Sequence, residues 1–172
     1  VLDGDGVLFT GRGFIHPQDG EFMKERSYAD GQGISLLRAA GVRVAFASAE
    51  ATGFVEAIGK RMNSLPSVAS GAWPPVGVFT GVLGREKAAA VEQWLGEAGI
   101  PWGACAAMGD DISDFELLGR VGLAAAPAQA EAIIQKIAHF VAPRRGGDGA
   151  IRDLVNLILE AKGVEPVPRA LR

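Results

Sequence analysis

The sequence predicts an α/β fold with a mostly parallel sheet. Apolar strand patterns alternate with helical patterns along nearly the whole chain. Acidic and other polar residues gather where the candidate strands end, the edge at which open α/β sheets bind ligands. A chain of 172 residues, 48% apolar and 22% charged, suits one domain (residues 1–172) with a sizeable core.

In order, Val1–Asp3 is a candidate first strand. It looks like the last part of one, so the expectation is that the numbering omits residues or that the chain is a piece of a longer protein. Residues 13–27 interrupt the alternation: Pro17-Gln18-Asp19-Gly20 sits between strand-type residues, the signature of a β-hairpin. Gly31–Ala40 reads as a helix burying Ile34, Leu36 and Leu37, and Val42–Ala47 as an apolar strand ending at Ser48. Ala51–Met62 reads as a helix, and 64–77, rich in Ser, Gly and Pro, as a long loop. Glu86–Ala98 is predicted helical on Ala89, Val91, Trp94 and Leu95. Ala104–Met108 is a strand running into Gly109-Asp110-Asp111, followed by a short helix (Phe115–Arg120) and a short strand (Gly122–Ala125). Ala128–Ala138 and Gly149–Lys162 are predicted helices, and the tail from Val164 to Arg172 is expected to lie across another surface.

The net charge of −3 has no basic block behind it, so nucleic acid is not an expected partner, whereas a small anionic substrate is compatible with it. The lone Cys105 permits no internal disulfide and suits a reducing compartment. No apolar run reaches the ~18 residues of a membrane span and no leader pattern precedes the fold. The expectation is a soluble, cytoplasmic protein with no membrane partner.

The polar pieces at strand ends are Asp3-Gly4-Asp5-Gly6, Ser48, Lys87 and Gly109-Asp110-Asp111-Ile112-Ser113-Asp114. Asp3 and Asp5 stand two apart, and in extended chain such residues point the same way. Converging carboxylates repel unless a cation lies between them, and an oxygen-rich, histidine-poor set favours Mg²⁺. One Asp can attack phosphorus and form an aspartyl-phosphate, and the other can protonate a leaving alkoxide and then activate water. Lys87 and the Ser48 hydroxyl would hold phosphoryl oxygens, since phosphoryl transfer rests on positioning and charge stabilisation.

Each piece has a plainer reading. Asp-Gly-Asp-Gly is also turn chemistry, a Ser after a strand is commonly a helix N-cap, and a Lys at a helix start is ordinarily solvated. A calcium loop would need Glu at its twelfth position, which is Phe14. A phosphorylated receiver domain also uses Asp, Ser and Lys, but here the Asp-x-Asp pair opens the fold and a second acidic cluster follows Lys87. The catalytic reading rests on all four pieces occurring in order around one sheet edge.

On these four motifs the chain resembles the haloacid dehalogenase phosphatases. The resemblance implies a Rossmann-like fold without a cap domain, with Asp3 as nucleophile, Asp5 as general acid/base, and Ser48 and Lys87 holding the phosphoryl group. It implies Mg²⁺ bound by Asp3, the Asp5 backbone carbonyl and Asp110, with Asp111 and Asp114 in support. Asp5-Gly6-Val7-Leu8, the hairpin, Asp30-Gly31-Gln32-Gly33-Ile34, Arg120-Val121-Gly122-Leu123 and Gly146-Gly147-Asp148-Gly149-Ala150-Ile151-Arg152 are similar to a capless subgroup. That subgroup contains 3-deoxy-D-manno-octulosonate 8-phosphate phosphatase and its nonulosonate 9-phosphate relatives. Its members are homotetramers whose hairpins form a central barrel and whose active sites are closed by neighbouring subunits.

Three departures from the octulosonate pattern stand out. Ser48-Ala49-Glu50 replaces Thr-Gly-Arg, Gly146-Gly147-Asp148-Gly149 replaces Gly-Gly-Arg-Gly, and the 64–77 loop is long. The two acidic residues resemble the nonulosonate enzymes more. Glu50 is then a candidate acceptor for sugar hydroxyls, Arg61 or Lys60 a candidate for the substrate carboxylate, and Asp148 a further substrate contact. The plain reading of Glu50 is a helix N-terminal carboxylate. The same domain also resembles the C-terminal part of some N-acylneuraminate cytidylyltransferases, where it serves in oligomerisation. The expected substrate is a small phosphorylated 3-deoxy-2-keto sugar acid.

Overall fold

The structure is a computed structural model and describes residues 1–165; most of the tail from Val164 to Arg172 lies outside the described residues. After a central first segment, the chain forms the hairpin β1 (Gly13–His16) and β2 (Gly20–Lys24), then α1 (Tyr28–Ala39), β3 (Ala45–Ala47), α2 (Phe54–Asn63), α3 (Pro66–Ala69) and β4 (Gly77–Phe79). The second half adds α4 (Gly84–Glu97), β5 (Ala106–Met108), α5 (Phe115–Leu118), β6 (Leu123–Ala126), α6 (Ala132–Ile137), β7 (Phe140–Val141) and α7 (Ala150–Ala161).

The expected first strand contributes one ladder position. Leu2 bridges Phe46 and Met108, both in parallel. It thereby joins β3–β4 to β5–β6–β7, all parallel pairs. The order across the sheet is β4, β3, the Leu2 segment, β5, β6, β7. From the centre the chain runs outward to β3 and β4, then crosses back through α4 to β5 on the other side, which makes the carboxyl end of the Leu2 segment a topological switch point. Asp3, Ser48 and Gly109-Asp110 each follow the last residue of one of these three segments.

Side chains alternate between the two faces of the sheet. Leu2, Phe46, Met108 and Ala125 face a core completed by α1 (Leu36, Leu37), α2 (Val55, Met62) and α7 (Ile151, Leu154, Val155, Leu159). Ala47, Ala107, Ala124 and Ala126 face α4, α5 and α6 through Val91, Leu95, Leu117, Leu118 and Ile134. Burying each such Leu or Ile contributes about 1.5–3 kcal/mol.

Boundaries differ from expectation for local reasons. Helix α1 starts at Tyr28 because the Ser27 hydroxyl accepts the Ala29 N–H at 3.1 Å. The Val42 N–H closes the end of α1 on the Leu37 carbonyl at 3.0 Å, so β3 begins only at Ala45. Helix α2 starts at Phe54, after a turn organised by Glu50. Residues 127–130 turn on a bond from the Ala130 N–H to the Pro127 carbonyl, which leaves α6 shorter than expected. Strands β4 and β7 were not expected; with three and two residues, they carry too little pattern to read.

The long 64–77 stretch is tied down on both sides. Fully buried Arg38 donates from Nε to the Pro74 carbonyl at 2.9 Å and from Nη1 to the Met62 carbonyl at 3.2 Å, and lies over the Trp73 ring. The Asn63 amide accepts from and donates to the backbone of Val76. Asp30, also buried, accepts the Gly149 and Arg152 N–H groups and so caps α7 from α1. No helix among the described residues is long and apolar enough to cross a membrane.

Candidate active site

The first turn after Leu2 is the centre of the site. Residues 4–8 make a wide turn in which Asp5 stays extended and Gly6 takes φ +79. A Cβ on Gly6 would run into the Asp110 carboxylate, so position 6 has to be Gly both for its dihedral and for this approach. The turn is held from behind. The Gln129 amide donates to the Gly6 carbonyl at 2.7 Å and accepts the Gly146 N–H at 2.9 Å. The Gly147 N–H donates to the Val7 carbonyl at 2.8 Å. A Cβ on Gly146 would collide with the Gly6 carbonyl, which accounts for that part of the Gly146–Gly149 motif.

Lys87, in the first turn of α4, is fully buried and donates to Asp3 Oδ1 at 2.7 Å and Asp114 Oδ1 at 2.6 Å. The other oxygen of Asp114 accepts the Asp110 and Asp111 N–H groups at 3.0 and 3.3 Å. Asp111 caps the turn that follows by accepting the Ile112 N–H at 2.6 Å. Carboxylate oxygens of Asp3, Asp110 and Asp114 lie within 4.8 Å of one another. Three acidic groups thus face one buried lysine. Burial, the charge of Asp114 and only partial relief from Lys87 push the Asp3 carboxyl up to about 7. Burial and the charges of Asp3, Asp114 and Asp111 do the same to Asp110. For Lys87, burial opposes the charge, but Asp3 and Asp114 outweigh it and raise its pKa above the usual lysine value. The surplus of hard oxygen donors fits a divalent cation between Asp3 and Asp110.

A cleft of about 320 Å³ opens above these groups, lined by Asp3, Asp5, Ser48, Glu50 and Asp110, with Asp111 and Ser113 at its side. The Ser48 Oγ accepts the Glu50 N–H at 3.1 Å, which leaves its proton to donate into the cleft. Glu50 lines the cleft, but its carboxylate accepts from the Thr52 N–H and hydroxyl and, at 3.4 Å, from the Val55 N–H at the start of α2. Burial resists its charge, and these bonds outweigh it, holding the group below the usual carboxylate range. The plain reading of Glu50 therefore describes its contacts. Lys60 and Arg61, exposed in the last turn of α2, and Asp148, exposed before α7, are not among the residues lining the cleft, nor is any residue of the 64–77 loop.

Asp5 lines the cleft yet stands outside the three-carboxylate cluster. Its partner is Lys24, the last residue of β2, which donates to both Asp5 oxygens at 2.7 Å and to Glu21 at 3.1 Å. Sequence reasoning missed Lys24. It stands across the hairpin from Gly13, and no local pattern sets it apart from a solvated strand lysine.

An aspartate pair at the switch point of a parallel sheet, with a buried lysine and an acidic loop opposite, fits a phosphoryl-transfer hydrolase. Comparison with known proteins agrees. Residues 81–153 match the haloacid dehalogenase-like hydrolases. A probable phosphatase structure from Pseudomonas syringae pv. phaseolica is 32% identical, covering 99% of this chain and 89% of its own, with a TM-score of 0.84. The 3-deoxy-D-manno-octulosonate 8-phosphate phosphatase of Yersinia pestis is 29% identical over 94% of this chain and 79% of that protein. The cobalt-bound deoxy-D-mannose-octulosonate 8-phosphate phosphatase of Haemophilus influenzae has a TM-score of 0.78 at 29% identity, covering 94% of this chain and 86% of that one. The chain belongs to the haloacid dehalogenase-like hydrolases, and within them it is a phosphoric monoester hydrolase.

Proposed function

We propose that the chain is a Mg²⁺-dependent phosphatase that removes the terminal phosphate of a 3-deoxy-2-keto sugar acid through an aspartyl-phosphate on Asp3. The observation that carries this reading is the buried Asp3–Lys87–Asp114 cluster with Asp110 beside it at the switch point. Asp3, Asp110 and the Asp5 carbonyl would hold the cation, with Asp111 and Asp114 in support. When bound, the ion offsets the charge of the carboxylates and of the incoming phosphate.

Asp3 attacks phosphorus while Lys87 and the Ser48 hydroxyl steady the phosphoryl oxygens. Asp5 gives a proton to the leaving alkoxide and then takes one from the water that cleaves the aspartyl-phosphate, which returns Asp3 as a carboxylate. A cation alongside Asp3 favours the ionised form that attack requires.

The sugar-acid class rests on the named relatives, which act on the octulosonate 8-phosphate. A nonulosonate 9-phosphate is the second reading, favoured by Glu50 and Asp148 where the octulosonate pattern has Arg. In that reading Arg61 or Lys60 meets the substrate carboxylate. Exposed Phe14, Ile15, Phe22 and Met23 on the hairpin support a homotetramer joined through residues 13–27, and such a neighbour would bring further side chains to the cleft. We place the enzyme in the cytoplasm, where Cys105 stays reduced. Retention of Asp3, Asp5, Ser48 and Lys87 favours the hydrolase over an oligomerisation domain.

The test is phosphate release from both sugar-acid phosphates with Mg²⁺ and with chelator. Metal-dependent turnover of either supports the class, and their kcat/KM ratio selects the member. No release from any ester with Mg²⁺ refutes the reading.

A further inference from the structure

Two lysines of this chain bury their ammonium groups among carboxylates, and only Lys87 is absorbed by the mechanism above. The Lys24 side chain is 2% exposed. Its ammonium lies over the rings of Phe9 and Phe54, with Nζ 5.5 Å from each centroid, and its three short contacts all go to Asp5 and Glu21. Asp5, by contrast, has a side chain 47% exposed, on a turn flanked by Gly4 and Gly6. A carboxylate so placed has several rotamers open to it. The two-oxygen grip of Lys24 selects one.

We propose that Lys24 is a positioning residue: it holds the Asp5 carboxylate in the orientation from which Asp5 exchanges a proton with the leaving-group oxygen. The inference rests on the reading of Asp5 as acid/base. A direct role for Lys24 on substrate fits the geometry less well. Lys24 does not line the cleft, and it would have to give up its contacts with Asp5 and Glu21 to reach a ligand there. The hairpin therefore carries part of the acid/base apparatus of its own subunit.

The experiment compares an alkyl phosphate, whose alkoxide must be protonated to leave, with p-nitrophenyl phosphate, whose phenolate leaves without a proton. Wild type, Lys24→Met, Asp5→Asn and the double variant are assayed with Mg²⁺. Lys24→Met is expected to lower kcat for the alkyl ester about tenfold more than for the nitrophenyl ester, with KM changed by less than about threefold. The double variant is expected to be no slower than Asp5→Asn alone. Equal losses on the two esters, or a loss residing in KM, would overturn the positioning role. If Asp5→Asn itself fails to discriminate between the esters, the acid/base reading of Asp5 falls first; if it discriminates and Lys24→Met does not, only Lys24 falls. The ester ratio is independent of how much enzyme is folded. Should Lys24→Met not fold, Lys24→Gln is read on the same ratio.

Discussion

Lys87 and Lys24 perform similar electrostatic work in two very different settings. Lys87 is fully buried and joins residues 84 and 27 positions away, with partners Asp3 and Asp114 almost as buried as itself. Lys24 joins Asp5, 19 positions away, and Glu21 on its own strand, and both partners reach water. The first cluster belongs to the α/β frame, where burial and neighbouring acids raise the pKa of Asp3 and Asp110. The second is carried by a hairpin lying outside the parallel sheet. Two aspartates two residues apart thus receive different environments, the arrangement by which paired carboxylates take separate roles.

The largest expected effect lies on the frame side. Asp3→Asn should reduce turnover to background while circular dichroism stays native if Asp3 is the nucleophile; substantial residual phosphate release would refute the assignment. Asp5→Asn should lower kcat by about 10²–10⁴-fold for alkyl esters, the usual weight of general acid/base transfer, as measured by steady-state kinetics.

Stability should separate the two lysines further. Lys87→Met leaves buried Asp3 and Asp114 without their cation and should cost about 3–5 kcal/mol in denaturant unfolding. Lys24→Met leaves carboxylates that water still reaches and should cost about 1 kcal/mol. Similar losses at the two sites would erase the distinction drawn here.

A pH titration of stability probes the same acids without mutation. Asp3 and Asp110 are raised from 3.8 to about 7 in the folded chain. Between those values the folded state binds more protons than the unfolded one, so metal-free stability should fall as pH rises from 3.8 through about 7. Added Mg²⁺ should remove most of that loss, since it favours the ionised carboxylates. A flat metal-free profile would contradict the crowding of acids. The smallest effect is expected at Glu50: Glu50→Gln should cost about 0.5 kcal/mol through the start of α2, and Glu50→Arg should leave the octulosonate-to-nonulosonate preference unchanged if capping is all that Glu50 does.

Much of this was legible in the chain. Asp3, Asp5, Ser48, Asp110 and Asp111 sit at residue types and strand ends that local pattern reveals, and all five line one cleft. Lys87 was legible as a partner but not as a fully buried one. Lys24 was not legible, because nothing near position 24 distinguishes it from a solvated strand lysine; its role appears only when the hairpin folds back onto the turn at Asp5. Strands β4 and β7 escaped for a related reason: three or two residues carry no period, and their pairing partners make them strands.

By itself, then, the amino-acid order determined the alternation of elements, the hairpin, and the set of acids available at one sheet edge, because periodicity and turn chemistry act over a few residues. Tertiary structure decided which acid meets which cation, that the Glu50 carboxylate is engaged by Thr52 and the Val55 N–H, that Lys60, Arg61 and Asp148 stand apart from the cleft of their own chain, and that the 64–77 stretch is fastened by Arg38. These outcomes depend on burial and on contacts between residues distant along the chain, and both exist only once the sheet has closed around Leu2.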